Sequence, residues 1–142
     1  MKEYTYSDIK IGLVESFKHV VSREDEDIFR TLTGDVNPMH YDDDFASDVS
    51  GGKLNKHVCF GMLTASLLST LAGVYIPGKY SLIHSIDTIS FHNPVYAGDE
   101  LTITGEVIDK SDAISLIVVS VRIVNSNNKT VMKARMKNIV QR

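Results

Sequence analysis

Phe60-Gly61-Met62-Leu63-Thr64-Ala65-Ser66-Leu67-Leu68-Ser69-Thr70-Leu71-Ala72 is the stretch on which the fold turns. It carries no charge and is apolar on most faces, with the small residues Ala65, Ser66 and Ser69 set between larger ones. A helix that is apolar nearly all round is buried, either in a protein core or in a bilayer. The uncharged run around it, Val58 to Gly78, reaches spanning length but contains Ser, Thr, three glycines and a proline. Its helical part falls short of the roughly 20 mostly apolar residues that a span requires. The helix is therefore expected at the centre of a soluble domain.

Beyond this helix the chain reads as strands. Ser81 to Phe91 comes first, then the turn Asn93-Pro94-Val95-Tyr96-Ala97-Gly98-Asp99. Leu101 to Ile108 alternates, with Leu101, Ile103 and Val107 on one side and Thr102, Thr104 and Glu106 on the other. Ile114 to Val124 is almost continuously apolar, the pattern of a central strand covered on both faces. Thr130 to Val140 sets Met132, Ala134, Met136 and Val140 against Lys133, Arg135 and Lys137. Short turns between these strands predict an antiparallel meander. One long apolar helix with such a sheet predicts an α+β domain whose sheet wraps the helix.

Upstream, Leu13 to Val21 is a candidate strand. Ser22 with Asp25 three residues on forms a capping-box pattern, and the helix it opens has Ile28, Phe29 and Leu32 on its apolar side and stops at Gly34. Asp42-Asp43-Asp44 suits the positive end of a short helix through Ala46. No repeat or linker divides the 142 residues, so residues 1–142 are expected to form a single domain. A chain of this length can bury roughly 70% of the surface it exposes when unfolded. The net charge of −3 provides no overall field for nucleic acid. Cys59 is the only cysteine and cannot form an intrachain disulfide. The polar N-terminus lacks an apolar signal core. The expectation is a cytoplasmic protein with neither nucleic acid nor membrane as partner.

The segment with chemical potential is Gly34-Asp35-Val36-Asn37-Pro38-Met39-His40. In an unbroken helix, Asp35 and His40 would lie about 140° apart. Pro38 breaks the helix, and Asn37 can hold the turn by bonding backbone groups, so that carboxylate and imidazole can share one small volume. A carboxylate and a neutral imidazole on one water molecule suit general acid–base catalysis. An Asp, an Asn-Pro and a His are also common in turns that carry no chemistry, and the spacing alone leaves both readings open. A metal site built from Asp35, His40 and the Asp42–Asp44 run is disfavoured, because no second His stands at ligand spacing.

The run Phe29-Arg30-Thr31-Leu32-Thr33-Gly34-Asp35-Val36-Asn37-Pro38-Met39-His40, with Ala46 beyond it, resembles the signature of the MaoC-like dehydratases and (R)-specific enoyl-CoA hydratases. Phe60-Gly61-Met62-Leu63-Thr64-Ala65-Ser66 is similar to the start of that family's central helix, and Phe91 to Asp99 is similar to its Phe-x-x-Pro-Val-x-x-Gly-Asp turn. The resemblance implies a hot-dog fold, a homodimer, and acyl-thioester sites near the subunit interface. It implies that Asp35 and His40 activate the water that adds to a trans-2-enoyl thioester, giving an (R)-3-hydroxyacyl product. Asn37 would brace the pair, and the Gly61 amide would bind the thioester oxygen. Ser66 matches a serine near the family's site, although its hydroxyl suits packing against the preceding turn equally well. No metal and no resident cofactor are implied, since coenzyme A or an acyl-carrier protein enters as part of the substrate.

One departure stands out. The family usually has His-Gly before the helix, and here the pair is Phe60-Gly61, which keeps the amide but loses an imidazole. His57, three residues earlier, is not expected to replace it. Thr64, Ser69, His84, His92 and Cys59 read as structural, and Lys133, Arg135 and Lys137 as a solvated face or a phosphate-binding strip. Two alternatives share the fold. A hot-dog acyl-CoA thioesterase would place a carboxylate on or beside the central helix, and Val58 to Gly78 has none. A non-catalytic acyl-thioester-binding module would accommodate Phe60.

Overall fold

A computed structural model describes all of residues 1–142. Five strands, β1 (Val14–Val20), β2 (Ser81–Phe91), β3 (Glu100–Ser111), β4 (Leu116–Asn125) and β5 (Thr130–Val140), form one antiparallel sheet in the order β1-β3-β4-β5-β2. Three helices, α1 (Arg23–Thr33), α2 (Asp43–Val49) and α3 (Gly61–Thr70), precede β2, and α3 runs on through a wider turn, Leu71–Tyr75.

α3 is the buried helix anticipated from its composition. Leu63, Leu67, Leu68, Leu71 and Ala72 join Leu101, Ile103 and Val107 of β3, alternate residues of β4 from Ile117 to Ile123, and Met132 and Met136 of β5 in a single core. Each fully buried aliphatic side chain contributes about 1.5–3 kcal/mol relative to exposure. Gly105 sits where sheet and helix approach most closely. A Cβ there would lie 2.9 Å from Leu71 Cδ2 and 3.0 Å from Val119 Cγ1. No helix is long and apolar enough to cross a membrane.

The meander is only partly present. β3, β4 and β5 succeed one another, but β2 pairs with β5 (Ser81↔Val140 to Phe91↔Met132) and β3 takes β1 as its other neighbour. The cause lies in the connection after β2. Cys59 N–H donates to Val95 O, Gly98 N–H to Val21 O, and Val21 N–H to Asp99 O, at 2.7–3.0 Å. These bonds pin the 93–99 loop against the α3 entry and the end of β1, so β3 starts beside β1. β4 also departs from expectation. It begins at Leu116, after Ser115 in a left-handed turn (φ 51°), and only its first half is covered on both faces, since Ser120 and Arg122 are exposed.

α1 begins and ends as its sequence dictates. Ser22 Oγ accepts from Asp25 N–H at 3.0 Å, and Asp25 Oδ2 accepts from Ser22 N–H at 2.8 Å. Gly34, at φ 73°, closes the helix by donating to Arg30 O. This stop, together with the break at Pro38, brings the next turn against the α3 entry.

Candidate active site

The 34–40 segment is a chain of side-chain-supported turns. Asp35 Oδ1 accepts from Asn37 N–H, and Asn37 Oδ1 accepts from Met39 N–H, both at 3.0 Å. Pro38 opens a single 3₁₀ turn, Pro38–His40, and His40 N–H closes it on Asn37 O. Val58 N–H donates to Met39 O at 3.1 Å, and the Val58 carbonyl lies 2.8 Å from His40 Nδ1. A carbonyl only accepts, so Nδ1 carries the proton and the neutral ring has a bare Nε2. Phe60, buried to 2% exposure, packs its ring 4.2 Å from that of His40 and 5.2 Å from that of Phe29. The aromatic residue at position 60 therefore supports the His40 ring from the N-cap of α3.

His40 forms part of the wall of a cavity of about 320 Å³ with Val58, Cys59, Gly61, Thr64, Val131 and the Phe91–Val95 turn. The helix tip contributes a donor to it through Gly61. Phe60 provides no side-chain cap, and the amides of Gly61 and Met62 have no acceptor in the chain. Unpaired amides at a helix N-terminus favour negative charge. Gly61 also admits the neighbouring aromatic, since a Cβ there would meet Phe91 Cε1 at 3.3 Å. Burial, reinforced by Glu26 and Asp25, pushes the Cys59 thiol up to about 12, so it is not a nucleophile at neutral pH.

A second cavity of about 240 Å³ touches His40 from elsewhere and is polar, with Arg23, Glu26, Asp27, Arg30, Tyr41, His57 and Phe60 around it. His57, 6% exposed, donates from its backbone amide to Asp43 Oδ1, and its Nδ1 lies 2.5 Å from the same oxygen. His57 Nε2 lies 3.6 Å from Glu26 Oε2. The His57 amide, then its imidazole, holds the Asp43 carboxyl below the usual aspartate range. Arg30 pairs with Asp27 and stacks over Tyr41.

The structure thus brings His40 and Gly61 together. Asp35 and Asn37 are exposed on the adjoining turn and do not line the cavity, because the Asp35 carboxylate is drawn onto the Asn37 amide. Ser66 lies elsewhere, with its hydroxyl donating to Leu63 O at 2.6 Å, in a groove between α1 and α3 lined by Phe29, Leu32 and Leu67. Thr64 and His92, read from sequence as structural, line the cavity beside His40. For His92 the family-like Phe91–Asp99 turn was an available signal. Of the basic strip, Arg135 and Lys137 pair with Asp87 at 3.8 and 3.0 Å.

Comparison with known proteins bears on the family and the fold. The profile of the MaoC-like domain family matches residues 9–129. The chain is 33% identical over 104 residues to a 3-hydroxybutyryl-CoA dehydratase of Methylorubrum extorquens, covering 73% of this chain and 64% of the relative. It is 42% identical over 79 residues to an (R)-specific enoyl-CoA hydratase of Aeromonas caviae, covering 56% of each. The matched stretches thus span between half and two thirds of these relatives' lengths. Among solved structures, the (R)-hydratase of A. caviae involved in PHA biosynthesis superimposes with a TM-score of 0.85 at 26% identity, covering 93% of this chain and 97% of that one.

Proposed function

The chain belongs to the MaoC-like domain family and has the hot-dog fold, and on that premise we propose that it is a hydro-lyase interconverting trans-2-enoyl and (R)-3-hydroxyacyl thioesters. The observation that carries this reading is the bare Nε2 of His40 in a cavity shared with the unpaired amide of Gly61. Nε2 of His40 takes the proton of a water molecule as its oxygen adds to the β-carbon, and Asp35 acts on that water from the adjoining turn rather than from the cavity wall. Charge then develops on the thioester oxygen, which accepts from Gly61 N–H at the positive end of α3. A single donor of this kind is typically worth about 3 kcal/mol of barrier. The pair returns a proton to the α-carbon, and dehydration is the reverse. Asn37 braces the turn through Met39 N–H, Asp35 Oδ2 remains available for the water, and Ser66 is given no part in the chemistry.

The substrate carries its own handle, coenzyme A or an acyl-carrier protein, and no other cofactor takes part. We place a homodimer on the free edge of β2, where Leu82, Ile83, Ile86 and Phe91 are 38–56% exposed. Unpaired edges with exposed apolar side chains invite pairing with another chain. The absence of a spanning helix is compatible with a cytoplasmic enzyme.

The test is loss of ultraviolet absorbance from trans-2-enoyl-CoA of graded length. Wild type should turn over. Asp35→Asn and His40→Ala should each fall by about 10²–10⁴-fold with unchanged size on gel filtration. Full activity in both variants discards the assignment. The exposure of Asp35, with one oxygen held by its own turn, favours one other reading, a non-catalytic acyl-thioester-binding module. Binding by wild type without turnover at any chain length would establish it.

A further inference from the structure

Thr64 is 2% exposed, and its Oγ1 is buried with no hydrogen-bond partner. A helical threonine ordinarily satisfies its hydroxyl on the carbonyl one turn back. Other side chains of this protein do so, since Thr31 and Thr33 donate to Asp27 O and Phe29 O at 2.8 Å and Ser66 donates to Leu63 O. Thr64 does not, although it lines the cavity beyond Gly61, so its hydroxyl is sealed in the free protein and meets a ligand by turning about χ1. A buried hydroxyl without a partner destabilises a fold that a methyl group of the same shape would not disturb.

We propose that Thr64 is a substrate-binding residue whose hydroxyl hydrogen-bonds the oxygen on the β-carbon of a 3-hydroxyacyl thioester, so that the site discriminates β-oxygenated from saturated acyl chains. The inference rests on the functional reading above. Thr64 lies three residues past Gly61, about 4.5 Å along the helix and on the same face. With the thioester oxygen on the Gly61 amide, the acyl chain runs along this face, and its β-carbon comes opposite Thr64, with His40 in the same cavity wall. The unmet hydrogen bond of the free protein is made when ligand binds. A site built to bond a substrate oxygen rejects the analogue that lacks it, because the partner is then left unpaired.

Thr64→Val keeps the shape and removes the hydroxyl, and Thr64→Ser keeps the hydroxyl. Melting temperature of the free protein should be measured for all three at one protein concentration, and calorimetric affinity for (R)-3-hydroxybutyryl-CoA and butyryl-CoA for all three in a His40→Ala background, where the hydroxyacyl thioester is not dehydrated during the titration. Thr64→Val should melt higher by about 3 °C and bind the hydroxyacyl thioester about tenfold more weakly. Its affinity for the saturated thioester should change less than twofold, and Thr64→Ser should retain the wild-type preference. A Thr64→Val protein that melts lower, or binds both ligands as wild type does, overturns the inference and leaves the functional reading standing. A wild type that binds neither ligand overturns both.

Discussion

Two cavities meet at His40, and their polar groups are treated in opposite ways. On one side, the amide of Gly61 and the hydroxyl of Thr64 have no partner in the chain, while at the rim His92 bonds Ser90 and Asn93 bonds Thr130 O, and the rest of the wall is largely apolar. On the other side, the groups bond one another, with His57 on Asp43 and beside Glu26, and Arg30 on Asp27 and over Tyr41. Glu26 Oε1 is the one unpaired buried oxygen there. The contrast separates scaffold from site. Polar groups that satisfy each other fix the loop entering α3, and through it the Val58 carbonyl that sets the His40 tautomer. Polar groups left unsatisfied are those that a ligand would complete.

The largest effect should come from breaking the scaffold side. His57→Leu removes the ring from Asp43 and leaves the buried carboxyl of Glu26, 5% exposed, without its polar neighbour, and the orphaned Glu26 group alone should cost about 1–3 kcal/mol. Adding Glu26→Met should recover most of that loss, since replacing both buried polar partners by apolar groups leaves neither unsatisfied. Denaturant melts of the single and double variants measure both. A His57→Leu protein as stable as wild type would remove the distinction between the two cavities.

A smaller effect sharpens the ligand side. Gly61→Ala puts a methyl group 3.3 Å from the half-exposed Phe91 ring, which can give way, and alanine favours the helix by up to about 1 kcal/mol. Melting temperature should hold or rise while KM for the enoyl thioester increases several-fold. Loss of stability with KM unchanged would show that the position serves packing.

The smallest effect is in pH. Asp43 titrates below its ordinary value because of His57, so its folded value lies below its unfolded one. The stabilisation is present above the unfolded value and is lost as pH falls through the folded one. The melting-temperature gap between wild type and Asp43→Asn should therefore be open at neutral pH and close on acidification below the ordinary aspartate value of 3.8. A gap that stays constant would deny the link.

Much of this was legible in the sequence where the information is local. The Ser22–Asp25 box, the Gly34 stop, the uncharged α3 and the alternation of β5 each appear as read, because caps and periodicity act over a few residues. Strand order was not legible. Local pattern marks β2 as a strand but not which neighbour it takes, and that depended on bonds from residues 95–99 back to Cys59 and Val21. Nor was the polar cavity, since Glu26, Asp43 and His57 share no periodic relation and meet only when α1, α2 and the α3 entry are packed. Thr64 was passed over for a related reason. In a helix apolar all round, a threonine looks like packing until its hydroxyl is found without a partner.

Nitrogen-15 NMR of the His40 ring tests the central claim most directly. The predicted spectrum has a protonated Nδ1 bonded to the Val58 carbonyl and a bare Nε2, and addition of a trans-2-enoyl thioester should shift the Nε2 signal far more than Nδ1. A proton on Nε2 in the free protein, or a His40 ring indifferent to the thioester, would contradict it.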